Sequence, residues 1–173
     1  MDKSQLIKVP LKYGVAGGIL CIVLFLTLYL SGEYPLEMTS YFMSGGIILI
    51  MLFFCIKELR DYKYGGKLLY WQGMSAGAVC VFLIALLSGI FVYVYSAHID
   101  SGFLADHSRQ VTEALMNDPQ GWVERHGQEL YDKMLRESRQ LISPVDLGFD
   151  DFLKKFLIGF FLTTVVALFF KRS

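Results

Sequence analysis

Local charge is what this chain lacks. Residues 13–32, 38–56 and 68–97 contain no Asp, Glu, Lys, Arg or His, and the shorter run 156–170 contains none either. A hydrocarbon core about 30 Å thick takes about 20 apolar residues as a helix, and only helices or closed barrels satisfy their backbone polar groups inside it. Runs of this length place the chain in a bilayer and exclude a soluble globular domain. Cysteine is scarce as well. Cys21, Cys55 and Cys80 all fall inside the uncharged runs, which argues against a disulfide framework and for small buried hydrophobes. Catalytic and cofactor signatures are missing from the remainder. His126-Gly127-Gln128-Glu129 lacks the HExxH arrangement, and no acidic loop has EF-hand spacing.

The charge that is present is segregated. Lys3, Lys8 and Lys12 precede the first run, Lys57, Arg60, Lys63 and Lys67 crowd the loop after the second, and Lys171 with Arg172 follows the last, while residues 33–37 hold no base. Bases in short loops mark the cytoplasmic side. Both termini and the second loop are therefore expected in the cytoplasm. The first run has the flanks of a signal peptide, but it is long for one and has no small-x-small pair around Ser31 or Gly32, so a retained span is expected. Bases and acids balance at 16 each, which points to no nucleic-acid partner.

These observations predict an all-α integral membrane protein, one domain over residues 1–173. Four transmembrane helices are expected at about 13–32, 38–56, 68–97 and 152–170, with residues 98–151 as an extracytoplasmic helical hairpin between the third and fourth. The third run is long enough to tilt or project beyond the hydrocarbon, with Tyr70 and Trp71 as an anchor pair. The fourth is short, so Phe152 and Leu153 extend it and Lys154 and Lys155 are expected to snorkel outward. Gly14 and Gly18 on the first span, and Gly73 and Gly77 on the third, form GxxxG pairs that let helix backbones approach. They fit a substrate or lipid groove, or more plainly the packing of a four-helix bundle.

In the hairpin, Leu104, Val111 and Leu115 define one apolar face, and Val123, Leu130, Met134 and Leu141 a second. Asn117-Asp118-Pro119 separates the two helices, with the proline suited to a first helical turn. His98, Asp100, Asp106 and His107 are metal-compatible but lack the spacing of a recognised site, so neither a metal nor a catalytic residue is assigned.

The loop Lys57-Glu58-Leu59-Arg60-Asp61-Tyr62-Lys63-Tyr64-Gly65-Gly66-Lys67 lies directly under the membrane. Its bases are explained by orientation alone, at about 1 kcal/mol each beside anionic headgroups. The functional alternative is a contact surface for a partner or a phosphate-bearing lipid, carried by Lys57, Arg60, Asp61, Gly65 and Gly66, with Arg60 gripping the phosphate. Leu11-Lys12-Tyr13-Gly14, Lys57 with Arg60-Asp61, Gly65-Gly66, the Gly73/Gly77 span and the closing Lys171-Arg172 resemble the bacterial four-span family called domain of unknown function 4199. The resemblance implies a bacterial inner membrane and covers nearly the whole chain. It departs where Lys154-Lys155-Phe156 runs on without a proline, and it implies no activity, cofactor or catalytic residue.

The expected function is that of a non-enzymatic accessory or scaffold subunit, needing no cofactor, whose partners are the lipid bilayer and another membrane protein or a second copy of itself. The alternative is a small oligomeric transporter or lipid-handling protein, against which stands the lack of ionisable residues inside the uncharged runs. A membrane enzyme acting on headgroups through His98, Asp100, Asp106 or His107 is the third reading.

Overall fold

The computed structural model describes residues 5–100, 102–138 and 143–170. Every regular element among them is helical. Four helices have the length and apolarity to cross a membrane. They are α1 (Gln5–Leu30), α2 (Met38–Glu58), α3 (Tyr70–Val94) and α7 (Pro144–Phe170), with α4 (Phe103–Asn117), α5 (Pro119–His126) and α6 (Gln128–Ser138) between the last two. Two compact units result, one of Met1–Phe91 with Phe149–Ser173 and the other of Val92–Gly148.

The first unit is assembled on small residues. A Cβ at Gly14 would stand 2.8 Å from Leu83 Cβ and one at Gly18 2.7 Å from Leu87 Cδ1, so α1 and α3 run parallel in close contact. Gly17 is sealed by Ile84 of α3 and Met51 of α2. Helices α3 and α7 run antiparallel, with Gly73 against Ala167, Gly77 against Thr163 and Gly159 against Val81. A Cβ at Gly77 or Gly159 would come within 2.4 Å of its neighbour, so bulk at either position would force the helices apart. Along α7 every fourth residue from Asp151 through Lys155, Gly159 and Thr163 to Ala167 is buried, the same-face repeat of an α-helix. Ile48, Leu52, Cys55, Ile56, Cys80 and Ile84 fill the middle.

Helix α2 closes through a π turn at Leu59–Lys63. Gly66 N donates to Arg60 O at 2.8 Å, and Gly65 and Gly66 take φ values of +61° and +85°, where a side chain would be strained. This geometry lets the chain reverse within a few residues before α3.

In the second unit Pro119 opens α5, and Asp118 caps it by accepting from Gly121 N at 3.0 Å. The expected second hairpin helix is two helices here. Gly127 adopts φ +86° and ψ 154° between α5 and α6, a conformation open essentially to glycine alone. On the first expected apolar face Leu115 is buried and Leu104 and Val111 are half-buried; on the second, which the break divides, Val123 and Met134 are half-buried, Leu130 is exposed, and Leu141 lies outside the described residues.

Candidate functional site

The last long helix corrects the reading of its lysines. Helix α7 starts at Pro144 and carries Asp150, Asp151, Lys154 and Lys155 within it. Lys154 stays at the surface, 2.5 Å from Asp150. Lys155 does not snorkel, and its side chain is only 5% exposed. Its Nζ donates to Asp151 Oδ1 at 2.7 Å, to Asp151 Oδ2 at 2.9 Å and to Ser88 Oγ of α3 at 2.6 Å. Ser88 in turn donates to Asp151 Oδ2 at 2.7 Å. The ring of Tyr41 on α2 lies 5.2 Å from Lys154 Nζ and 5.8 Å from Lys155 Nζ. One acid, one base and one hydroxyl thus close a ring of hydrogen bonds across the α3/α7 seam.

The chemistry of this ring is self-contained. The three hydrogen bonds of Lys155 Nζ all end on oxygens of Asp151 and Ser88. The Ser88 proton goes to the carboxylate and not to an amine, and Ser88, Asp151 and Lys155 are all buried. An isolated charge here would cost several kcal/mol, and pairing plus a complete hydrogen-bond set offsets that cost. The sequence offered one signal for it, the i,i+4 pair Asp151 and Lys155 in register with Gly159 and Thr163.

The residues singled out in the sequence occupy two other places. Gly14 and Gly18 pack against α3, and Gly73 and Gly77 against α7. Lys57 is exposed, with Nζ 5.8 Å from the centre of the Phe53 ring. Arg60 is bound to Asp61 through Nε at 2.7 Å and lies 4.8 Å from the Phe170 ring centre, so Phe170 from the far end of the chain seats it. Nearby, Glu58 accepts from both Lys12 Nζ and Tyr13 OH at 2.7 Å, joining α2 to α1. In the second unit, His98 packs on the Tyr93 ring, Asp100 accepts from Gly102 N at 2.9 Å, and Asp106 pairs with Arg109 at 3.6 Å.

Four apolar helices of spanning length, sealed along glycine seams and tied by a buried ion pair, define an all-helical membrane protein. Residues 12–172 match the family model DUF4199, described as a protein of unknown function, and the chain belongs to that family. No curated protein and no solved structure shows a significant match.

Proposed function

We propose that this protein is a non-enzymatic accessory or scaffold subunit of a bacterial inner membrane, with both termini cytoplasmic, that binds another membrane protein or a second copy of itself. The observation that carries this reading is the contrast between its glycines. Gly14, Gly17, Gly18, Gly77 and Gly159 are filled by the chain's own side chains, whereas Gly46 has nothing within 4 Å. Gly46 lies on the face of α2 where Phe42, Met43, Leu49 and Ile50 are exposed, a dent of helix-backbone depth among bulky side chains. In a bilayer, such a dent gives a partner helix the close backbone approach that drives association. The saturated Ser88–Asp151–Lys155 ring supports a structural role for the interior. Co-purification in mild detergent tests this: a stoichiometric partner, or a homodimer, is expected with the wild type and is lost in Gly46→Leu while the chain stays monodisperse. A monodisperse wild-type monomer that Gly46→Leu leaves unchanged would sink the proposal.

A second reading, a small transporter, is favoured by the Asp151–Lys155 pair, because ionisable groups within membrane helices commonly mark ion or proton paths. Ion flux into proteoliposomes above that of empty liposomes, abolished by Asp151→Asn, would establish it in place of the first.

A further inference from the structure

We propose that Lys57 and Arg60 form a binding site for the phosphate diester of an acidic phospholipid, at the membrane boundary where α2 finishes. The two residues are one helical turn apart, on the same side of the chain. Lys57 Nζ lies 5.8 Å from the centre of the Phe53 ring and Arg60 Cζ 4.8 Å from that of Phe170. These two rings meet edge to face at 5.1 Å. Two cations that repel each other are thereby each held over one of two touching aromatic rings.

Their donors remain open. Asp61 occupies the Nε edge of Arg60, and the two Nη groups make no hydrogen bond among the described residues. Lys57 has no ion-pair partner among the described residues and is exposed. A planar guanidinium edge beside a compact ammonium suits the several oxygens of a phosphate. Lys12 at the same end is already bound by Glu58, so it does not belong to this set.

The neighbouring surface selects a lipid over a free anion. Phe54 and Phe169 are exposed by 48% and 79%, on the helices that carry the two rings. An acyl chain descending from a phosphate held by Lys57 and Arg60 would cover apolar side chains that inorganic phosphate leaves bare. A zwitterionic headgroup brings its own cation to the site and loses much of the attraction. This inference is independent of any protein partner.

The test is a native mass-spectrometry titration of the full chain in mild detergent with dioleoylphosphatidylglycerol, dioleoylphosphatidylcholine or inorganic phosphate. The wild type is expected to bind phosphatidylglycerol in preference to phosphatidylcholine. Lys57→Ala should weaken phosphatidylglycerol binding about fivefold, and K57A combined with R60A about thirtyfold, given the attraction of each base near the surface. Lys63→Ala, which removes an exposed base with no aromatic ring beneath it among the described residues, should weaken binding less than K57A does. Equal binding of the two lipids, or K57A no weaker than K63A, would overturn the site. Inorganic phosphate binding as tightly as phosphatidylglycerol would overturn the lipid as its occupant. Should the double variant fail to fold, the comparison of K57A with K63A still decides, because both side chains are exposed.

Discussion

Lys155 Nζ of α7 lies 2.6 Å from Ser88 Oγ of α3, which makes a hydrogen bond between two helices out of what would otherwise be a local ion pair within one. The pair and the tie separate energetically. Ser88→Ala removes the tie and is expected to cost about 1–2 kcal/mol, the range for an interhelical hydrogen bond in lipid plus a donor left unmatched. Lys155→Met leaves the buried Asp151 carboxylate without its cation and should cost about 3–5 kcal/mol. Replacing both, Asp151→Leu with Lys155→Met, removes the charges but strands the buried Ser88 hydroxyl, and is expected to leave stability about 1–2 kcal/mol below wild type, since the apolar pair itself needs no compensation. Unfolding by SDS in detergent micelles measures all three. A double variant less stable than Lys155→Met alone would show that the ion pair contributes net stability.

The glycines separate in the same way. Gly77→Leu puts a side chain where even a Cβ would meet Thr163 Cγ2 at 2.4 Å and Leu52 Cδ2 at 3.2 Å. Large loss of folded protein is expected, of the order of several kcal/mol, because both α7 and α2 must retreat. A Cβ at Gly46 meets nothing within 4 Å, so Gly46→Leu should leave the monomer's melting temperature unchanged or slightly raised, helix propensity favouring leucine by about 1 kcal/mol. Melting profiles by fluorescence-detected size exclusion distinguish the two, and similar losses in both variants would contradict this packing.

Much of the α3/α7 seam is legible in the sequence, because small residues four apart on an uncharged run have few uses other than close helix contact. Asp151 and Lys155 obey the same four-residue repeat, yet counting uncharged residues stops the span at Phe152 and turns both lysines outward. Adjacent residues on a helix point about 100° apart, so Lys154 and Lys155 cannot share an environment. Which of them faces inward depends on Ser88, sixty-seven residues away. The same holds for Arg60, whose seat on Phe170 joins the middle of the chain to its end. Gly127 was invisible for a different reason: a single glycine within a helical period reads as a tolerated residue, and only its positive φ reveals a break.

That break yields a local prediction. Gly127→Ala forces a Cβ into φ +86°, ψ 154°, at a cost of about 1–3 kcal/mol. No neighbour within 4 Å obstructs the new carbon, so the cost is backbone strain alone. Hydrogen exchange is expected to speed up at the junction of α5 and α6 while amides in α1, α2 and α3 keep their protection. Uniform loss of protection along the chain would show that this junction is not a separate local element.

Glu58 gives the last test, because one carboxylate oxygen receives both Lys12 Nζ and Tyr13 OH at 2.7 Å. The Lys12 side chain is 61% exposed and Tyr13 is half-buried. Solvent screens the first contact, so the tyrosine hydroxyl is the partner that matters for stability. Glu58→Ala should therefore cost about 1 kcal/mol, and little more when combined with Tyr13→Phe, which removes the hydroxyl left without its acceptor. Glu58→Gln keeps an acceptor oxygen for Tyr13 and should fall between wild type and alanine. A double-mutant cycle across Glu58 and Tyr13 in SDS unfolding is expected to return a coupling of about 0.5–1.5 kcal/mol. Repeating it at high salt separates the two contacts: coupling to Lys12 should weaken with ionic strength while coupling to Tyr13 persists. Full salt sensitivity of the tyrosine cycle would mean that α1 and α2 are joined here by charge and not by the hydroxyl.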